Sequence, residues 1–237
     1  MAAPVASDAE TPSSKLVVHH LNDSRSQRIL WLLEELEVPY DIRDYQRTAE
    51  RLAPPELKAV HPLGNAPVIT DGDLTLAESG AIVEYIIRKY GNGRAQPSES
   101  GWVDNTYYTH YSEASLMPML VNKLIFQIIP ERSPFFIRPL LRGVFNKVST
   151  LMLDPRLKSH AELIENHLTK TNGFFAGGDE PTSADYMMIF CLEAWASEDK
   201  SALGPKTVEY IKRIHARPGY KRALEKGGEY SFAKASL

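Results

Sequence analysis

A proline that opens an apolar strand, followed shortly by an acidic and a hydroxylated residue, restricts the folds open to this chain. The stretch HPLGNAPVI covers residues 61–69, and LAESGAI follows at residues 76–82 after a tight turn. Pro67 has no amide hydrogen for a strand ladder, so it predicts a sheet edge, a bulge or a cis peptide bond. Glu78 and Ser79 stand where the pattern predicts the start of a helix.

Together these features predict a site for a small peptide. Main-chain groups beside Pro67 would pair with the peptide backbone. Glu78 would bind an ammonium group, and the free amides of the next helical turn would bind a carboxylate. A free amino-acid end, such as a γ-glutamyl group, carries both groups side by side. Taken singly, Pro67 is equally well explained as a turn proline and Glu78 as a favourable charge at a helix start, but their combination favours the site.

Composition excludes several classes of protein. The chain has 237 residues and a net charge of −3, which gives no electrostatic argument for a nucleic-acid partner. Its single cysteine, Cys191, excludes an internal disulfide and argues against a CxxC redox pair or a cysteine-rich zinc site, so no metal is expected. One cysteine also suits a reducing compartment, and we predict a cytoplasmic protein.

The length of the apolar runs and the first residues of the chain bear on membrane insertion and targeting. No apolar run reaches the roughly 18 residues that a membrane-spanning helix needs. Residues 1–14 lack the basic start and apolar core of a secretory signal, and we expect them to form a disordered tail.

The first half of the chain alternates strand and helix patterns. Asp71-Gly72 is a strong hairpin signal between the last two strands. Ser24 and Gln27 fit a capping box at the first helix start. The predicted order is βαβαββα, a thioredoxin-like α/β domain over residues 15–91, with strands at 15–20, 40–45, 66–70 and 74–76 and helices at 24–37, 54–58 and 79–90.

Beyond a linker at residues 92–99 the pattern is entirely helical, which predicts an all-α domain over residues 100–237. Thr182 and Asp185 form a second capping-box pattern, before a very apolar helix that would bury Cys191. The predicted helices cover residues 100–127, 134–153, 155–170, 186–196 and 205–215.

These motifs give the chain a family resemblance. The segments NDSRSQRILWLLEEL at 22–36, APPELKAVHPLGNAPVI at 53–69 and LAESGAI at 76–82, with TSAD at 182–185, resemble the glutathione transferase superfamily. They look most like the cytosolic class found in fungi and proteobacteria, with a theta-like N-terminal loop. The resemblance implies a homodimer in detoxification that binds glutathione as co-substrate in the first domain. The second domain would hold a small apolar electrophile, and the thiolate would attack an electrophilic carbon or a peroxide.

The resemblance also implies roles for residues of the first domain. Ala66, before a cis-Pro67, would pair its backbone with the cysteinyl part of glutathione. Glu78 and Ser79 would hold the γ-glutamyl end, and Asn65 would lie beside the glycyl or cysteinyl portion.

Further residues are implied less specifically. Arg47 stands where relatives place a basic residue that meets the glycyl carboxylate, and a solvated surface role is equally open. Four residues of the second domain fit a place in the core and a place in the electrophile pocket equally well: Tyr107, Tyr111, Ser115 and Met117.

Catalysis requires that a thiol with an ordinary pKa of about 8.5 become a thiolate near neutral pH. A hydroxyl or amide donor beside a helix N-terminus would favour that anion. In serine-using members of the superfamily the hydroxyl stands three residues before the Ser-Arg pair, where this chain has Leu21. Asn22 or Ser24 would therefore donate, although Ser24 is also the best candidate for the helix N-cap, and a backbone amide or water remains an alternative.

Two broader alternatives stay open at this point. The chain could be a non-catalytic binding or regulatory protein with the same fold, or a dedicated biosynthetic enzyme. Residues 124–151 are apolar with scattered Arg and Lys, which fits a pocket lid, contact with a membrane surface or ordinary core packing, the last being favoured.

Overall fold

The computed structural model describes residues 16–50 and 52–234, so the tail predicted at residues 1–14 lies outside the described residues. The described N-terminal part contains a mixed four-stranded sheet in the order β2–β1–β3–β4. The first strand runs parallel to the second and antiparallel to the third. The elements are β1 Val17–Leu21, α1 Gln27–Leu36, β2 Asp41–Tyr45, α2 Pro55–Val60, β3 Val68–Asp71, β4 Leu74–Ala77 and α3 Ser79–Tyr90.

This order is the predicted βαβαββα arrangement, and the fold class is confirmed. Pro67 precedes β3, and the Ala66–Pro67 peptide bond is cis. Of the three outcomes predicted for Pro67, the sheet edge is wrong, because β3 pairs with β1 on one side and β4 on the other. The cis bond is the one observed.

The C-terminal part is helical throughout its regular elements. Its helices are α4 Trp102–Tyr111, α5 Met117–Arg132, α6 Arg138–Val148, α7 Asp154–Thr171, α8 Ser183–Asp199, α9 Pro205–Ala216 and α10 Pro218–Gly227. Short 3-10 turns follow at Lys200–Ala202 and Ser231–Lys234. The segment between α3 and α4 contains the linker predicted at 92–99, and the domain boundaries drawn there stay a prediction.

Two π-helical turns change the predicted helix pattern. Ser112–Leu116 joins α4 to α5, and Ser149–Leu153 joins α6 to α7, so each pair runs on without a break. The break predicted between residues 153 and 155 is therefore wrong. Pro155 lies at the start of α7, where a missing amide hydrogen costs little because that donor has no intrahelical partner. A π turn inserts an extra residue and rotates the helix face that follows it.

Helix α1 is held by the helical domain near both of its ends. Arg28 is buried and donates from Nη1 to Glu113 Oε1 at 2.8 Å. Arg217 forms a two-point ion pair with Glu35, at 2.8 and 2.9 Å. Because α1 follows directly from the loop after β1, these contacts fix that loop relative to the helical domain.

Candidate functional site

A cavity of about 510 Å³ lies where the loop after β1 faces α5 and α8. One wall comes from the first domain and holds the polar side chains of Ser24, Arg25, Arg47 and Asn65, together with Leu21, Leu52 and Ala66. The facing wall comes from the second and is mainly apolar, with Met117, Leu120, Val121, Leu124, Phe190 and Phe232, beside Lys123 and Glu198. The cavity can therefore hold a polar ligand against one domain and an apolar one against the other.

Ser24 lies in the polar wall, and its hydroxyl belongs to a chain of hydrogen bonds. Ser24 Oγ is 2.6 Å from Ser26 Oγ, which is 2.8 Å from Nδ1 of His20. The carbonyl of Gly227 can only accept, so His20 Nε2, at 3.0 Å from it, carries the proton. Nδ1 then accepts from Ser26, and Ser26 Oγ is left to accept from Ser24. Burial lowers the pKa of His20, which favours this neutral form.

Ser26 and His20 were not among the sequence-predicted site residues. The sequence carries a signal for Ser26, since it follows Ser24 by two positions in SRS. The partner at His20 is on a strand, and a strand residue's contact with a following loop is not readable from spacing. Both side chains are buried, so their link is part of the loop's internal support.

The capping box predicted from Ser24 and Gln27 is wrong. The helix begins at Gln27, after Ser26, and the Ser26 side chain makes no cap bond. Ser24 Oγ instead accepts from the Ser26 amide at 3.2 Å. The Gln27 side chain is buried, and neither amide atom has a hydrogen-bond partner among the residues that the structure describes. The hydroxyls that would cap the helix are used to shape the loop.

Asn22 lies outside the cavity wall and joins two loops. Its Oδ1 accepts from the Arg47 amide at 2.9 Å, while the Arg47 Nε donates to the Asn22 carbonyl at 3.2 Å. Arg47 itself lines the cavity. Burial lowers the pKa of its guanidinium, which still stays a cation at neutral pH because its ordinary pKa is so high. Asn22 therefore positions a cation rather than facing the cavity.

The register of the sheet brings the segments 61–69 and 76–82 together. Val68 on β3 pairs with Ala77 on β4. One step further along an antiparallel ladder, Pro67 lies opposite Glu78. Glu78 has a left-handed backbone with φ 72°, is exposed and immediately precedes α3, whose first residue Ser79 is buried. Asn65 and Ala66, just before Pro67, line the cavity, so the predicted peptide-binding residues form a continuous strip beside it.

The residues predicted for the electrophile pocket do not share one place. Met117 lines the cavity. Tyr107 and Ser115 are exposed, whereas Tyr111 is buried in the core with its hydroxyl on Nδ1 of His160. Those three residues do not line the cavity: Tyr107 and Tyr111 lie on α4, and Ser115 lies in the π turn that follows it. The α5 positions Leu120, Val121 and Leu124, together with Phe190 on α8, form the wall instead.

Residues near the C-terminal end of the described chain brace the same loop. Ser231 donates from its amide to Asp23 Oδ1 at 2.7 Å and from its hydroxyl to Oδ2 at 3.1 Å. Tyr230 anchors this segment by donating to Glu193 Oε2 at 2.6 Å. Phe232 lies in the cavity wall. This C-terminal brace, residues 230–232, therefore supports the loop and contributes to the pocket.

Residues 16–50 and 52–234 contain neither a metal-binding cluster nor a membrane-spanning helix. Within those residues there is no cluster of three or more His, Cys, Asp or Glu side chains arranged to hold a metal ion. No helix in the same ranges has the length and apolarity needed to cross a bilayer. The buried Cys191 is not paired.

The comparisons with known proteins agree with this geometry. Residues 14–88 match the model of the glutathione S-transferase N-terminal domain, and residues 144–227 match that of its C-terminal domain. Glutathione S-transferase 3 of Schizosaccharomyces pombe is 37% identical, over 89% of this chain and 87% of that protein. Glutathione S-transferase 1 of Saccharomyces cerevisiae is 34% identical, over 88% of this chain and 94% of its own length.

Among solved structures, a glutathione S-transferase from Actinobacillus pleuropneumoniae superposes with a TM-score of 0.69 at 28% identity. The alignment covers 93% of this chain and 95% of the bacterial one. The two domain matches, the near full-length fungal relatives and a cavity between the two domains point the same way. The chain belongs to the glutathione S-transferase family and is a glutathione transferase.

Proposed function

We propose that this transferase binds glutathione along the strip from Asn65 to Ser79 and directs its thiolate at small apolar electrophiles. The observation that carries the proposal is the two-sided cavity, in which the polar wall faces the apolar wall across about 510 Å³. A thiol held at the polar wall would meet an apolar substrate at close range. Such proximity supplies much of the acceleration in bimolecular reactions.

The contacts of glutathione follow from charge and main-chain geometry. The backbone of Ala66 would pair with the cysteinyl unit, because a residue before a strand offers free main-chain groups there. Exposed Glu78 would bind the γ-glutamyl ammonium, and the amides at the start of α3 would bind its carboxylate. Arg47, held by Asn22, would take the glycyl carboxylate.

Ser24 is the proposed donor to the sulfur: its one hydroxyl hydrogen, directed at Ser26 Oγ in the free protein, would turn to the bound thiolate. It lines the cavity, whereas Asn22 is occupied with Arg47 outside it. A hydroxyl that donates to a thiolate lowers the thiol pKa, and the nearby Arg25 and Arg47 add to the effect. His20 and Ser26 act as positioning residues, because the hydrogen bond between their side chains holds Ser26 Oγ beside Ser24.

In the proposed reaction the thiol proton leaves to solvent. The thiolate sulfur then uses a lone pair to form a C–S bond, and the leaving group departs with its bonding pair. Reaction with a peroxide stays a prediction, to be checked with cumene hydroperoxide. A homodimer, a cytoplasmic location and a role in detoxification are proposed on the same family grounds.

Two variants test the assignment with a chlorinated nitroaromatic as substrate. Ser24→Ala should lower kcat about tenfold to hundredfold, since a hydrogen bond to a charged group contributes roughly 1.5–3 kcal/mol. Asn22→Ala should instead raise the KM for glutathione, because it removes the acceptor of the Arg47 backbone amide and loosens the loop that carries Arg47. A kcat loss confined to Asn22→Ala would refute the role of Ser24. Tight glutathione binding by calorimetry without any turnover would favour a binding protein.

A further inference from the structure

The connection between α5 and α6 carries apolar side chains that project into solvent. Phe135 is 81% exposed and Phe136 72% exposed. Among the described residues, large apolar side chains at such exposure are concentrated here, and α6 has no buried residue at all. The expectation of ordinary core packing for residues 124–151 is therefore wrong for this part. We call residues 131–148 the tip surface.

The tip surface has two apolar sides. On the inner side Phe145 packs on Phe126 of α5, with ring centroids 5.2 Å apart. The outer side carries Leu140 and Val144, one turn apart on the same face of α6, and Phe136 in the turn that precedes the helix. The inner contact already holds the hairpin together, so the outer stripe is not needed for folding the hairpin.

Basic residues outnumber acidic residues in the tip surface. The tip surface contains four basic residues, Arg132, Arg138, Arg142 and Lys147, and one acidic residue, Glu131, which pairs with Arg142. The whole chain has a net charge of −3, so this local excess is opposite in sign to the protein average. An apolar stripe with flanking Arg and Lys complements a surface that is both apolar and anionic.

A second copy of the chain fits this charge pattern less well. In a two-fold symmetric interface each subunit presents the same patch, so the tip cations would face one another. An anionic bilayer offers acyl chains to the phenyl rings and phosphate or carboxylate groups to the cations. Phe and Leu are also among the apolar side chains that peripheral segments bury at the boundary between headgroups and acyl chains.

We propose that the tip surface docks on anionic phospholipid membranes, with Phe135 and Phe136 inserted at the interface and the cations on the headgroups. This surface lies outside the glutathione-binding strip, and the proposal does not depend on the transferase reaction. Docking of this kind is peripheral and reversible. It weakens as salt rises, because the attraction between exposed charges is screened.

The test is co-sedimentation of the full chain with phosphatidylcholine vesicles, prepared with and without phosphatidylserine. The chain should bind the phosphatidylserine vesicles, and added salt should release it. Phe135→Ser with Phe136→Ser should abolish binding. Arg132→Gln and Lys147→Gln should each weaken binding about fivefold, the contribution of one cation near an anionic surface. Turnover of the nitroaromatic should be unchanged in all of them.

The matched control is Trp102→Ser with Val103→Ser, which removes an adjacent apolar pair exposed to 61% and 63% on α4. This control should bind vesicles like the unmodified chain. Equal loss in the control, or equal binding to vesicles without phosphatidylserine, would overturn the proposal. So would a failure to bind either vesicle accompanied by a switch from dimer to monomer in the Phe135 and Phe136 variant, since the stripe would then be covered by a second copy.

Discussion

Helices α1 and α8 begin with the same sequence signature, yet only α8 begins with the structure that the signature predicts. At α8 the Thr182 amide donates to Asp185 Oδ2 at 2.8 Å, and the capping box is confirmed. At α1 the corresponding residues, Ser24 and Gln27, do not form a box. The difference lies in the surroundings rather than in the signature.

The carboxylate of Asp185 is fully surrounded by the core. Besides Thr182, it accepts from the Phe175 amide at 2.9 Å and from the Tyr210 hydroxyl at 3.0 Å. Ser24, by contrast, lies at the wall of a cavity, where its hydroxyl can serve a ligand. The capping box of α8 is satisfied by buried partners in the core. The residues before α1 depart from the structure that their sequence predicts and lie beside a cavity, and such departures are expected at functional sites.

The largest expected effect on stability is at the buried capping box of α8. Asp185→Ala should lower the free energy of unfolding by about 4 kcal/mol, because it leaves several buried donors without an acceptor. Denaturant titration measures this loss. Cys191 on the same helix provides a second readout, since burial raises the pKa of its thiol to about 12 and should block alkylation in the native chain. Alkylation should become faster in the variant, and a loss below about 1 kcal/mol would contradict the comparison.

The pH dependence of stability sharpens the same point. Burial raises the pKa of Asp185 from 3.8 to about 6, against the opposing effect of its hydrogen-bond donors. Between these two pKa values the native chain holds a proton that the unfolded chain releases. The contribution of Asp185 to the free energy of unfolding therefore falls as pH rises from about 4 to about 6. The change is about 3 kcal/mol. Subtracting the profile of Asp185→Asn from that of the unmodified chain isolates it, and a zero or opposite slope would show that the donors dominate.

At the start of α1, Ser26→Ala tests the side-chain hydrogen bonds that support the loop after β1. The variant removes the link to His20 and should raise the pKa of the bound glutathione thiol, with turnover lowered about tenfold. The thiol pKa is read from the ultraviolet absorbance of the thiolate as a function of pH. Ser159→Ala, an exposed serine on α7, is the control and should leave this titration unchanged. A turnover loss without a shift in thiol pKa would indicate a purely structural role for Ser26.

The smallest effect is expected at Gln27. Because its buried amide lacks partners among the described residues, Gln27→Met should leave stability unchanged or raise it by up to about 1 kcal/mol. Asp185→Leu, at the matching position of α8, should be strongly destabilising. Thermal unfolding of the two variants side by side checks the contrast. A clear loss of stability at Gln27 would mean that its amide has a partner after all.

Sequence periodicity was sufficient for the sheet and for the helices that pack on it, because apolar spacing there directly reflects burial. The strip from Asn65 to Ser79 was also predictable, since the hairpin at Asp71-Gly72 fixes which residues face each other. Tyr107, Tyr111 and Ser115 stayed divided between core and pocket in the sequence, because a π turn such as that at Ser112–Leu116 leaves no mark in the apolar pattern. Helix α10 was missed because Pro218 follows α9 so closely that it resembles a terminator.

The contact between Asp23 and Ser231 spans 208 positions of the chain. At ordinary ribosomal rates, the brace is synthesised roughly 10–40 s after the loop that it holds. During that interval the nascent first domain can form its sheet, but the loop after β1 lacks its final support. The enzyme should therefore gain activity late in translation, and a prematurely released chain ending before residue 230 should bind glutathione poorly even when its first domain has folded.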